Sequence, residues 1–289
     1  MSGSHIFPAW TGIASIVLIV SNFGAYSGME MNAVHVNELE KPERQFPRAM
    51  FVAVILVLVI LILPPLAISW VVPSEQISLT AGVMQAFSVV FGHFGLQWLV
   101  PIIGLAIVIA SLAGFMTWLS GPSKSLLLVG KEGGYLPPYF QKTNKVGVQQ
   151  NILVAQGWVT TALALLFALV PAVSNAYWIF MTITTSVYLL VYIWLFIAAY
   201  RLRKIAPNHP RGYRAPALPL LCAVGLISAV AAIAISFIPP SQFGGGSPWV
   251  FIGIVGGGIL LLGLIVPWLL ITLRKPSWRV SSDAEGETA

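Results

Sequence analysis

The chain has 289 residues, 57% of them hydrophobic and only 8% charged, where a soluble domain carries about 25% charged residues. This composition excludes an ordinary water-soluble enzyme and a disordered chain, and its lone cysteine, Cys222, excludes a disulfide framework and a cysteine-based metal site. A net charge of +6 spread over so few charged residues points to the anionic inner face of a bilayer rather than to nucleic acid.

Apolar runs predict seven membrane segments, at residues 7–35, 49–72, 96–130, 151–170, 176–200, 217–238 and 250–273. The fold class is therefore an all-α polytopic membrane helix bundle. Helices satisfy their own backbone groups in hydrocarbon, and the alternation of a transmembrane barrel is absent. A span takes about 17–25 residues, so the longer first and third segments are expected to be broken, tilted or extended. The start, Met1 to His5, has no basic stretch or cleavage site, and no signal peptide is expected. The stretch Ser78–His93 is too short to cross and is expected as a helix on the outer rim. Residues 134–141 mix aromatics with prolines, which suits the headgroup level. The polar, acidic tail from Ser281 is expected to be disordered.

The loops orient these segments. Of the 15 basic residues, 14 follow the first, third, fifth and seventh segments, and Lys124 lies near the same end of the third. The opposite loops, near 73–95, 171–175 and 239–249, carry none. By the positive-inside rule the N-terminus is outside and the C-terminus cytoplasmic, in the inner (plasma) membrane.

The first segment is interrupted in its middle by Ser21, Asn22, Gly24, Ser27 and Gly28, with Glu30 close behind. Glycines let a backbone unwind and approach a ligand closely. Breaks at membrane depth line cavities or are buried in protein, and in secondary transporters they mark the substrate site. The other reading is a small-residue packing face between continuous helices. A carboxylate such as Glu30 within a membrane segment costs about 2.5 kcal/mol or more, and such residues pair, face water or move protons. Alternatively Glu30 is hydrated at the cytoplasmic end of the segment.

In the third segment Ser111, Gly114, Trp118 and Gly121 share a helical face. They either line a pathway with the indole as its gate or allow close packing. Lys124 is expected to reach the cytoplasm or to pair with Glu30. In the fifth segment Thr185, Tyr188 and Tyr192 share a face whose hydroxyls serve a polar substrate or a neighbouring helix. Gly253, Gly256 and Gly257 in the seventh suit helix packing or a dimer contact. The histidines His5, His35, His93 and His209 lack metal-site spacing, so neither metal nor cofactor is expected. No nucleophile–base pair suggests an enzyme.

Several motifs in one order carry a resemblance. Gly28-Met-Glu30, His35-Val-Asn-Glu38 and the following Pro42-x-Arg44 with Pro47-x-Ala49-Met50 resemble the sixth helix and its exit in amino acid–polyamine–organocation transporters. Ala81–Gln85, Trp118-x-x-Gly-Pro-Ser123, Tyr188-x-x-x-Tyr192 and Ser236-Phe-x-Pro-Pro240 resemble the glutamate/γ-aminobutyrate antiporter branch. The resemblance implies a LeuT-like fold of about twelve helices, of which this chain carries six to twelve. Residues 1–200 would then be the second five-helix inverted repeat, 201–273 two additional helices and 274–289 a short cytoplasmic tail. It implies amino acid antiport by alternating access, with the first repeat absent. Gly24, Tyr26, Ser27 and Gly28 would form the unwound part of helix six, Glu30 would serve gating and protonation, and Trp118, Tyr188 and Tyr192 would line the pathway. Gly114 departs from that branch, where an acidic residue is expected. The partners implied are an amino acid substrate, membrane lipid and a missing N-terminal half or second copy. The alternative function is a non-transporting membrane protein or scaffold half that needs a partner chain.

Overall fold

The computed structural model describes residues 22–71, 82–169, 173–239 and 247–280. A helical turn over residues 22–26 gives way at Ser27 and Gly28 to a 3-10 stretch, Met29–Glu38. Then follow α1 (Pro42–Val71), α2 (Gly82–His93), α3 (Val100–Gly133), α4 (Gln150–Leu169), α5 (Val173–Ile205), α6 (Leu218–Ile235) and α7 (Pro248–Leu260). A π-helical stretch, Leu261–Ile265, joins α7 to α8 (Val266–Thr272). No strand occurs among the described residues.

Five stretches among the described residues are long and apolar enough to cross a membrane: Pro42–Trp70, Gln97–Gly133, Ala176–Ile205, Leu218–Ile235 and Pro248–Thr272. The protein is an all-α, multi-pass membrane protein. The expected span at 151–170 corresponds to α4, whose 20 residues extend about 30 Å at the α-helical rise. The expected first segment lies partly outside the described residues, as do Ser21, residues 78–81 of the outer helix and the tail from Ser281.

Two of the differences from the sequence reading have a plain physical reason. The second span starts at Pro42 rather than at 49. Its first turn is charged, which hides it from a hydropathy reading, but proline at the first helical position and Glu43 beside it suit a helix N-terminus. The third span is one continuous helix of 34 residues that contains Pro122. Its excess length is an extension past the apolar stretch, and Ser123, Leu127 and Gly130 are buried there.

The chain divides into two compact units. Among the described residues one holds 49–71 and 82–121, and the other holds 22–48 together with everything from Pro122 onward. In the first unit Met84 of α2 meets Gly104 of α3, where a Cβ would lie 3.4 Å from its terminal methyl.

In the second unit α5 is the central element. On one side Ile183 joins Phe251, Val255 and Ile259 of α7, with Phe251 and Val255 fully buried. On another, Leu189 packs on Ala229 and Ala232 of α6. Small residues let these backbones close together. A Cβ on Gly225 would fall 2.4 Å from the Phe196 ring, one on Gly258 2.7 Å from Ile183, and one on Gly263 2.6 Å from Leu190. The close contacts of the last span are thus at Gly258 and Gly263. Gly253 and Gly257 meet no described neighbour within 4 Å, and Gly256 only touches Phe237.

Polar residues share the interior with these apolar clusters, while many apolar side chains face outward. Ser123, Gln149, Thr185, Ser186 and Ser236 are buried, whereas Phe51, Ile55, Leu63 and Trp70 on α1 are more than half exposed. The buried polar groups find each other: Gln149 Nε2 donates to Ser123 Oγ at 2.6 Å, and Ser186 Oγ donates to Ser236 Oγ at 3.0 Å. Satisfaction inside protein is what permits polar atoms at this depth.

Candidate functional site at the helix break

The break in the first segment is centred on Gly28, which takes φ 103° and ψ −6° as the cap of the 3-10 stretch. A side chain there would be strained, because left-handed backbone brings Cβ against the following carbonyl. One turn earlier, Gly24 lies against α5, and a Cβ would fall 2.5 Å from Thr185 Oγ1. The carbonyl of Gly24 accepts from Ser27 Oγ at 2.7 Å and from Ser27 N–H at 3.3 Å. Ser27 therefore closes the turn that ends the helix.

The tyrosines of α5 complete what the break leaves open. Gly28 N–H donates to Tyr192 Oη at 3.2 Å. Tyr192 in turn donates to Glu30 Oε2 at 2.6 Å, and Tyr188 donates to Glu30 Oε1 at 2.5 Å. Each carboxylate oxygen thus holds one hydroxyl, at the short distances typical of charge-assisted O–H···O⁻ bonds. Spacing by four places both hydroxyls on one face of α5, with ring centroids 5.6 Å apart. Tyr192 is the shared element, since its oxygen binds the freed backbone amide and the carboxylate together. Glu30 is half-buried, and each of its carboxylate oxygens accepts from a tyrosine of α5.

Beside this cluster lies a cavity of about 530 Å³ between the break, α5 and α6. Asn22, Tyr26, Ser27 and Tyr192 line it, with Phe196 and Ser228. Its size falls within the range of small-molecule sites. Gly24, Tyr26, Ser27, Gly28, Glu30, Tyr188 and Tyr192 are therefore gathered in one unit. Trp118 belongs to the other unit, where it is 52% exposed on α3. Lys124 meets His35, with Nζ to Nδ1 at 3.2 Å.

Sequence reasoning did not single out Phe196, which stacks on Tyr192 at 6.2 Å and sits over Gly225. Its spacing of four from Tyr192 was the available signal. Nor did it find the His35 contact with Lys124 or the buried Ser186–Ser236 pair, which join residues far apart in the chain.

Comparison with known proteins sets this geometry in a family. The sequence profile of the amino acid permease family matches residues 2–260. An uncharacterized transporter of Legionella pneumophila is 34% identical over 266 residues, which cover 91% of this chain and 57% of that protein. A glutamate/γ-aminobutyrate antiporter of Lactococcus lactis subsp. lactis is 31% identical over 246 residues, 82% of this chain and 49% of its own length. A serine permease of Lactococcus lactis subsp. cremoris is 24% identical over 223 residues, 74% of this chain and 46% of its own length. The chain spans about half the length of the curated relatives it matches. With the profile covering most of its residues, the chain belongs to the amino acid permease family, within the amino acid–polyamine–organocation superfamily.

Proposed function

We propose that this chain takes part in amino acid transport as the second half of a secondary antiporter working by alternating access. One observation carries the reading: the Glu30 carboxylate is bonded by Tyr188 and Tyr192 at a helix break whose free amide is taken by the same Tyr192. Protonation of Glu30 removes the charge that strengthens both bonds. Tyr192 then holds the Gly28 amide less firmly, and the broken helix is free to move. Proton occupancy at Glu30 is thereby linked to the shape of the backbone that faces the substrate.

In this reading Gly24, Tyr26, Ser27 and Gly28 present the substrate-facing backbone, and Tyr188 and Tyr192 line the pathway. The antiporter and permease names among the relatives support an amino acid as substrate. Gly114, where an acidic side chain was expected, argues against an arrangement identical to that of the glutamate/γ-aminobutyrate exchangers. Residues 1–200 would act as the second inverted repeat, with 201–273 as two flanking helices. A complete site requires a second broken helix, contributed by a first five-helix repeat or by another copy of the chain. The basic loops support a cytoplasmic C-terminus in the inner membrane.

The test is exchange of radiolabelled amino acids in proteoliposomes, with the chain alone and with a matching five-helix half. Exchange that appears only when the half is supplied is the expected result. Saturable exchange by the chain alone would replace the two-half site with a dimeric one. No exchange in either case would leave a membrane scaffold. Orientation is read separately, in a Cys222→Ser background. Ser247→Cys should react with an impermeant reagent from outside, and Asn208→Cys only after permeabilisation.

A further inference from the structure

At the end of the second unit where α3 stops, α4 starts and α8 stops, two loops form one fixed frame. The segment after α8 returns to the loop after α3. Lys275 N–H donates to the Gly134 carbonyl at 3.2 Å, and Val280 N–H donates to the Lys131 carbonyl at 3.1 Å. Buried Gln141 ties them again, its Nε2 donating to the Leu136 carbonyl at 2.6 Å and to the Trp278 carbonyl at 2.8 Å. Gly134 takes φ 67°, and a Cβ there would fall 2.6 Å from the Lys275 carbonyl oxygen, so this approach requires glycine. Beneath, Leu127, Leu136 and Ile152 form a buried cluster with Leu270 against it.

The outward side of this frame is cationic. Lys142, Lys145, Arg274, Lys275 and Arg279 are exposed, and Lys131 is half-buried. Glu132 is the sole acid within residues 131–151 and 274–280. Two of the cations rest on aromatic rings, with Arg274 6.0 Å from the Tyr135 centroid and Lys275 5.2 Å from that of Trp278. Along α8 and at its C-cap, Trp268, Ile271 and Leu273 are 61%, 57% and 62% exposed. Cations, interfacial aromatics and bare apolar helix follow one another in the order met from headgroup to acyl chain.

We propose that this frame is a binding site for an anionic phospholipid, its phosphate on the Lys142, Lys145, Lys275 and Arg279 cluster and its acyl chains along α8. The positive-inside rule alone requires cations in these loops. It does not require that the backbone carrying Lys275 and Arg279 be tied to the loop after α3 by a buried glutamine and paired backbone hydrogen bonds, and that tie is what distinguishes a site from a diffuse charged surface.

The experiment measures phosphatidylglycerol against phosphatidylcholine retained by the full chain in detergent, by native mass spectrometry. Phosphatidylglycerol should be retained preferentially. Substituting Lys142, Lys145, Lys275 and Arg279 by Gln should weaken retention by about fivefold per cation, the weight of one basic residue at an anionic surface. Gln141→Leu leaves net charge unchanged yet should also weaken it, because the Trp278 segment is released. Removing the same charge elsewhere, by Gln at Arg201, Arg203, Lys204 and Arg211, should leave retention unchanged. Equal loss in that control, or no loss in the first set, would overturn the proposal. So would displacement of lipid by equimolar inorganic phosphate. Retention that appears only after removal of residues 281–289 would assign the cluster to the acidic tail instead, and would equally overturn it.

Discussion

Helices α1 and α5 are both long and apolar enough to cross a membrane, yet they are used in opposite ways. No described residue of α1 is buried, and Phe51, Ile55 and Trp70 stand more than half exposed. In α5 Ile183, Thr185, Ser186 and Leu189 are buried, and the helix carries hydroxyls that α1 lacks through its apolar middle. Hydrophobicity therefore reports which helix enters the bilayer, not which helix packs. Lipid is as apolar as leucine, so association depends on shape and on polar atoms that need partners. The helix with more serine, threonine and tyrosine is the one at the centre of its unit and of the candidate site.

The contrast breaks most severely where α5 meets α7. Phe251 is fully buried against Ile183. Phe251→Ala leaves a cavity, and a loss of about 3 kcal/mol is expected. That is the low end for such truncations, because in a bilayer the term for transfer out of water is absent. Unfolding in mixed micelles at increasing denaturant measures it.

Gly28→Val should come next. It forces a β-branched residue into a backbone at φ 103°, at about 1–3 kcal/mol of strain. The helix relieves that strain by rewinding, which withdraws Gly28 N–H from Tyr192 and shifts Glu30. Exchange in the assembled transporter should be lost even where protein yield is retained. Wild-type exchange by this variant would mean the break has no part in the cycle.

Glu30→Gln should leave membrane insertion intact and flatten the pH dependence of exchange. The amide cannot titrate, but its oxygen still accepts from one tyrosine. Exchange rates measured as a function of pH decide the matter. An unchanged profile would leave Glu30 as a structural acceptor for the two hydroxyls.

How much of this was legible follows from chain distance. The break at Gly24–Gly28 and the exposed cost of Glu30 are local features, so composition within one segment reveals them. The shared face of Tyr188 and Tyr192 follows from a spacing of four. That the face meets Glu30, 158 and 162 residues away in sequence, follows from no spacing. The same holds for Gly258, which looks like its neighbours Gly256 and Gly257 until Ile183 is placed over it. The first turn of α1 escaped because its charges resemble a loop, although Pro42 and Glu43 are helix-start residues.

Ser186→Ala on α5 should cost little, about 0.6 kcal/mol, the average for hydrogen bonds between helices in a membrane. Ser236 keeps its bond to the Ile233 carbonyl at 2.6 Å, so the partner is not orphaned. A Ser186→Ala, Ser236→Ala double-mutant cycle isolates the pair term. A coupling well above 1 kcal/mol would mean that this pair, rather than the apolar seams, holds α5 to α6.

Ile55→Ala on α1 should have the smallest effect, within about 0.5 kcal/mol. Ile55 is 62% exposed. In a soluble protein an exposed isoleucine is indifferent because water surrounds it in both states. The same indifference is expected here from another cause: where hydrocarbon covers this face of α1 in both states, neither state changes solvent. The measurement is the same denaturation midpoint used for Phe251→Ala, so the two values sit on one scale. A loss at Ile55 approaching that at Phe251 would show that protein rather than lipid covers this face of α1 in the assembled molecule. It would then mark the surface on which a first five-helix repeat, or a second copy of this chain, docks.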